Sequence, residues 1–183
     1  MPLSDAVLNQ GLSRFMDPES SSFKSKIDGK TGSLPKDGEE IGEFWSKAIT
    51  TYVAALAPPP VNAVAWLAGL EAMRRALAIA LRPVGDLDPA IPAEIVYEQT
   101  FNLAFAAYGT ALGTLILAAT PGAYAAFTPP AGALGTQLKA TVFPVGLDGG
   151  TASEVVEENV KVISAWFKTG TVATTAGAIT KWT

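Results

Sequence analysis

Four acidic residues fall close together in the middle of the chain and are the first candidates for chemistry. Asp86 and Asp88 lie in the segment RPVGDLDPAIPAE, and Glu94 and Glu98 follow shortly after it. Carboxylate oxygens are the ligands that Ca²⁺ and Mg²⁺ prefer, and carboxylate pairs also serve as general acids and bases. The spacing lacks the EF-hand pattern, however, and Asp88 before Pro89 is an ordinary beginning for a helix. We therefore expect neither a metal nor a cofactor here.

Two other segments and the tryptophans give weaker chemical signals. Residues 147–151, LDGGT, could form a phosphate-binding turn before a helix, but they lack the lysine of a P-loop. The serines at 20–22 have no histidine in the chain to activate them. Tryptophans can stack on sugars or bases. Trp45 and Trp166, however, fall on apolar helical stripes, which favours a place in the core.

Composition excludes several classes of function. The chain has no cysteine and no histidine. Disulfides, thiolate and imidazole metal sites, and Ser-His-Asp or Cys-His nucleophiles are therefore impossible. The usual general base near neutral pH is also missing, so we expect a protein that is not an enzyme. A net charge of −4 with scattered basic residues argues against direct binding to nucleic acid.

The longest uncharged stretch, residues 99–138, contains no Asp, Glu, Lys or Arg over 40 positions (138 − 99 + 1). It offers water little to solvate, so polypeptide or lipid should cover much of it. Gly109 and Gly113 form a GxxxG pattern, which is typical of close helix pairs in membranes. The same pattern suits a small-residue helix packed tightly in a soluble assembly. Thr110 and Thr114 weaken the membrane interpretation, and we expect no membrane contact.

Hydrophobic periodicity predicts a mainly α fold, a four- to five-helix domain with a small β element. The segment QLKATVFPV alternates like a short strand, and the Thr-rich C-terminal tail is β-prone. We expect the tail to pair near Val142 or with the edge of a neighbouring subunit. The predicted helices cover residues 5–16, 39–56, 62–81, 90–119 and 151–168, the last with a capping box formed by Thr151 and Glu154.

The same patterns divide the chain into three parts. Residues 1–38 form an N-terminal helix and a polar arm, residues 39–169 a helical core that includes the uncharged stretch, and residues 170–183 the tail. The polar arm and the tail lack a clear place in a core, so we expect them to contact other subunits. The candidate interaction residues are Phe23, Ile27, Leu34, Tyr124, Phe127, Val172, Ile179 and Trp182.

The two ends of the chain, MPLSDAVLNQGL and ISAWFKTGTVATTAGAI, resemble small virion structural proteins of tailed phages, especially contractile-tailed phages. Such proteins combine short amphipathic helices with Thr/Gly-rich ends of the form TGTVxTT. The resemblance covers residues 1–12 and 163–179 and carries no catalytic or binding residues. It implies a non-enzymatic structural or assembly component of the virion, at the neck, tail or baseplate. The implied partners are further copies of the chain and other virion structural proteins.

The sequence leaves two alternatives open, an enzyme based on the carboxylates Asp86, Asp88, Glu94 and Glu98, and a membrane protein. Residues 61–81 and 101–119 could form a helical hairpin in a bilayer, as in a small pore or a holin-like protein. The many Ala and Gly residues make insertion only weakly favourable, and the first segment contains Glu71, Arg74 and Arg75.

Overall fold

The computed structural model describes residues 3–27, 29–56 and 62–182. Within them the chain is 66% helical and has one three-stranded antiparallel sheet, which confirms the predicted mainly α fold with a small β element. The helices are α1 (Asp5–Met16), α2 (Ser21–Lys24), α3 (Gly38–Val53), α4 (Ala63–Leu81), α5 (Ala93–Ala119), α6 (Leu134–Leu147) and α7 (Ala152–Phe167). The strands are β1 (Tyr124–Thr128), β2 (Thr171–Thr174) and β3 (Ile179–Lys181).

Helices α3, α4 and α7 begin where side chains satisfy their free N–H groups. The side chain of Asp37 accepts a hydrogen bond from the backbone of α3, and that of Asn62 does the same for α4. The predicted capping box of α7 is confirmed: Thr151 N–H donates to the Glu154 carboxylate over 2.7 Å, and Glu154 N–H donates to Thr151 Oγ1 over 3.2 Å. Three prolines at positions 58–60 are expected to end the predicted helix 39–56. They lie outside the described residues.

The strand predicted for QLKATVFPV is wrong, because this segment belongs to helix α6. The buried apolar positions of α6 are Leu134, Leu138 and Val142. These positions are four residues apart, which is a helical period. The alternation of apolar and polar residues between them resembled the period of a strand, and so the prediction failed. The expected pairing of the tail near Val142 is therefore also wrong.

The tail does form strands, and its partner is β1. Strand β2 lies between β1 and β3 and is antiparallel to both, with Phe127 opposite Val172. Strand β1 is not among the predicted elements, because small residues and prolines dominate the sequence around it. A strand whose partner lies far along the chain is supported by pairing and packing more than by its own residues.

The helices pack in a closed order around one core. Helix α1 contacts α3 and α7, and the succession α3, α4, α5, α6 and α7 packs each helix against the next. The core is rich in aromatic rings, with Trp45 and Phe101 at 5.1 Å between centroids and Phe105 and Trp166 at 5.7 Å. Trp45 and Trp166 are thus core residues, as predicted. The N-terminal helix contributes the fully buried Leu8 to the same cluster.

Candidate protein-interaction site

The acidic residues singled out in the sequence are engaged in local structure. Asp86 Oδ1 accepts a hydrogen bond from Gly38 N–H over 2.9 Å, and so caps the beginning of α3. Asp88 Oδ1 accepts one from Ala90 N–H over 2.9 Å within its own loop. Over residues 3–27, 29–56 and 62–182, no group of three or more acidic side chains is placed to hold a metal ion.

Glu98 fastens α6 to α5. Its carboxylate accepts hydrogen bonds from Lys139 Nζ and Thr136 Oγ1, both over 2.8 Å. The bond from Lys139 holds the pKa of Glu98 below its usual range, with Thr136 adding to the effect. Close by, Gly135 lies directly against the backbone carbonyl of Glu98, where a larger residue would push the helices apart. Glu98 therefore serves as a structural link between α5 and α6.

The GxxxG glycines of α5 face strand β1 and the loop that follows this strand. A Cβ on Gly109 would lie 2.9 Å from the Pro130 ring, and one on Gly113 would overlap the ring of Phe127. The two glycines thus let β1 and residue 130 lie close against α5. Their role inside this chain is tight packing.

Helices α4 and α5 form an antiparallel hairpin. Asn62 N–H, just before α4, donates to the carbonyl of Ala119 at the end of α5 over 2.8 Å. Midway along the pair, Gly69 of α4 lies against the side chain of Leu115 of α5. Both helices were predicted from the sequence, as residues 62–81 and 90–119.

One side of this hairpin is exposed and almost free of charge. In the most apolar 18-residue segment of α5, more than half of the residues are not buried. On α4, the exposed Arg75 lies on the same side of the helix, three residues after Ala72 and four before Ile79, and its Nε donates to Glu71 over 2.8 Å. We call this surface the α4–α5 face. Its exposed residues are Val64, Ala68, Ala72, Ala76 and Ile79 on α4, and Leu103, Ala107, Thr110, Ala111, Thr114 and Ala118 on α5.

The eight predicted interaction residues occupy different environments. Val172 and Trp182 are buried inside the protomer. Trp182 packs on Gly170 just after α7. A Cβ at position 170 would overlap the indole ring, which accounts for a glycine there. Half-buried positions are Phe23, Tyr124 and Phe127, and exposed positions are Ile27, Leu34 and Ile179. Their contact with other subunits stays a prediction. None of the eight residues belongs to the α4–α5 face, which was not predicted from the sequence.

Among the described residues, α5 is the one helix long and apolar enough to cross a membrane, a property that core helices of soluble proteins share. Comparison with protein-family models, curated proteins and solved structures finds no match for this chain.

Proposed function

We propose that this chain is a structural subunit of a tailed-phage virion, at the neck, tail or baseplate. It acts through contacts with other copies and other virion proteins, without catalysis. The resemblance at residues 1–12 and 163–179 supports the virion setting. The observation that carries the proposal is the α4–α5 face, because an uncharged helical surface on this scale needs a cover.

The physical chemistry of the face favours a protein partner. Val64 is 79% exposed and Leu103 is 75% exposed. Burying one such side chain contributes about 1.5–3 kcal/mol. The other positions are mainly Ala and Thr, whose short side chains let another helix approach closely. Depletion of charge in the middle of a surface, with aliphatic anchors in it, is typical of the core of a protein interface.

A membrane-inserted pore or holin-like protein is the second candidate, and the length and apolar character of α5 favour it. In that case lipid would cover the α4–α5 face. The ion pair of Arg75 with Glu71 lies on the α4 side of the face, and burying charged side chains in a bilayer costs several kcal/mol. The inner side of α5 is already used by the core of the protomer, where Phe101, Phe105 and Leu112 are fully buried. These features make protein the better cover.

Sedimentation velocity in detergent-free buffer tests the proposal. We expect species heavier than the 19.0 kDa protomer. Leu103→Asp should weaken the association on the order of 10-fold or more, because it places a charge inside the interface. Leu147→Asp is the matched control, since Leu147 is 82% exposed at the end of α6, outside the face.

Two results would contradict the proposal. A wild-type chain that stays a protomer at every concentration, or equal behaviour of the two variants, would remove the face as a protein contact. Flotation of the wild-type chain with liposomes, resistant to carbonate, would favour the membrane candidate instead.

A further inference from the structure

A second surface feature lies between α1, α3 and the segment that joins α2 to α3. It is a groove with a cavity of about 490 Å³. Val7, Phe15, Phe44 and Ala48 give it an apolar floor. Ile27 and two glycines also line it, the remaining lining residues are polar or basic, and no acidic side chain is among the described residues that line it. We call this feature the basic groove.

The basic residues of the groove keep their charge available. The guanidinium of Arg14 donates to three backbone carbonyls, and the shortest of these bonds, 2.9 Å, goes to Lys30. Arg14 thus fastens the joining segment onto α1 without a carboxylate partner among the described residues. Lys30 and Lys47 are exposed on opposite walls and form no ion pair with any described residue. Asp28 lies outside the described residues.

The loop at the tip of the α4–α5 hairpin has the complementary character. Every residue from 86 to 95 is exposed. The loop carries three acidic residues, and no Lys or Arg occurs between residues 83 and 138. Its apolar side chains project into solvent, with Leu87 44% exposed and Ile91 45% exposed. We call residues 86–95 the acidic loop.

Other exposed apolar positions in the described residues match the groove less well. Leu147 is followed by a single acidic residue, Asp148, and Ile179 is followed by the basic Lys181. The acidic loop combines repeated acidic charge with two aliphatic side chains in one short segment. Charge complementarity therefore selects it as the occupant of the groove.

The acidic loop is held away from the groove of its own chain. Asp86 caps the first residue of α3, Gly38, through a 2.9 Å hydrogen bond. Lys47 lies nine residues further along α3, which is about 14 Å at the rise of an α-helix. The occupant must then come from another copy of the chain.

We infer that the basic groove of one copy binds the acidic loop of a second copy, an inference that rests on the proposed assembly function. Leu87 and Ile91 of the loop pack on the apolar floor, while Asp88 and Glu94 lie toward Lys30 and Lys47. The two surfaces of this contact are different, so each copy offers a loop to one neighbour and a groove to another. Contacts of this kind produce rings where the rotation closes and filaments where it does not.

A charge-reversal experiment tests the inference with the full chain. The groove variant is Lys30→Glu/Lys47→Glu and the loop variant is Asp88→Lys/Glu94→Lys. Each variant alone brings like charges together and should weaken self-association on the order of 100-fold, measured by sedimentation velocity. An equimolar mixture should associate again, because the reversed groove meets the reversed loop. Asp148→Lys, a reversal at the other acidic and apolar turn, should leave association unchanged.

Folding of each variant is verified by circular dichroism before its association is measured. Association of either variant as strong as that of the wild-type chain, or a mixture that associates no more strongly than each variant alone, would overturn the groove–loop contact. If association is then lost only in Leu103→Asp, the assembly function stands and this inference alone fails. A wild-type chain that stays a protomer contradicts both. Binding of decanoate, a small amphipathic anion, in the groove of a chain that does not self-associate would assign the groove to a ligand instead.

Discussion

At the scale of single residues, two glycines decide how closely strand β1 approaches helix α5. Gly113 leaves the space that the Phe127 ring fills, and Gly109 leaves space for Pro130. The spacing of the glycines was visible in the sequence, but the partner was not. A GxxxG pattern indicates a close approach and says nothing about whether a helix, a strand or lipid makes it.

Gly113→Ala should therefore destabilise the fold. The added methyl group overlaps a ring that the sheet holds in place, and we expect a loss of about 1–3 kcal/mol in the free energy of unfolding, measured by urea denaturation. Gly146→Ala is the matched control, because its Cβ would meet nothing closer than 4.0 Å. That variant should be neutral or up to about 1 kcal/mol more stable, since alanine favours a helix. Equal stability of the two variants would show that Phe127 yields easily.

At the scale of secondary structure, helices α1, α3, α4, α5 and α7 were all predicted, because their apolar residues recur at helical spacing. Three of them, α3, α4 and α7, also begin with a side-chain cap, whereas α1 and α5 do not. Helix α6 and strand β1 were missed. Helix α6 begins at Leu134 without a side-chain cap, and β1 depends on β2, more than 40 residues away, for its pairing.

The capping box of α7 should contribute measurably to the free energy of unfolding. Thr151→Ala removes the oxygen that accepts the Glu154 N–H, and we expect a loss of about 1 kcal/mol in the free energy of unfolding. Ser4→Ala is the matched control, since Ser4 precedes α1 and makes no side-chain hydrogen bond there. Urea denaturation of both variants provides the comparison, and a larger loss from Ser4→Ala would contradict the assignment of the caps.

At the scale of the whole molecule, the sequence analysis found the unusual surface but not its location. The uncharged stretch predicted that something must cover it, and the core of the protomer covers one side of α5. The other side of α5 faces outward beside α4. The tail illustrates the limit of such reasoning, because Val172 and Trp182 looked available for partners and are buried in the protomer.

The basic groove and acidic loop could not be found from the sequence for a related reason. Arg14, Lys30 and Lys47 are scattered along the chain, and only the packing of α1 on α3 brings them to one groove. The acidic loop was visible, but as a candidate cation site. Its meaning changes once Asp86 and Asp88 are seen to cap backbone N–H groups while Leu87 and Ile91 remain exposed.

Thiol labelling tests the cover of the α4–α5 face most directly, because the chain has no cysteine of its own. Ala107→Cys places one thiol in the face, and Leu147→Cys places one outside it. On raising the protein concentration without lipid, we predict that maleimide labelling slows on the order of 10-fold at position 107 and stays constant at position 147. Labelling at position 107 that is independent of concentration, and slows only when liposomes are added, would contradict a protein-covered face.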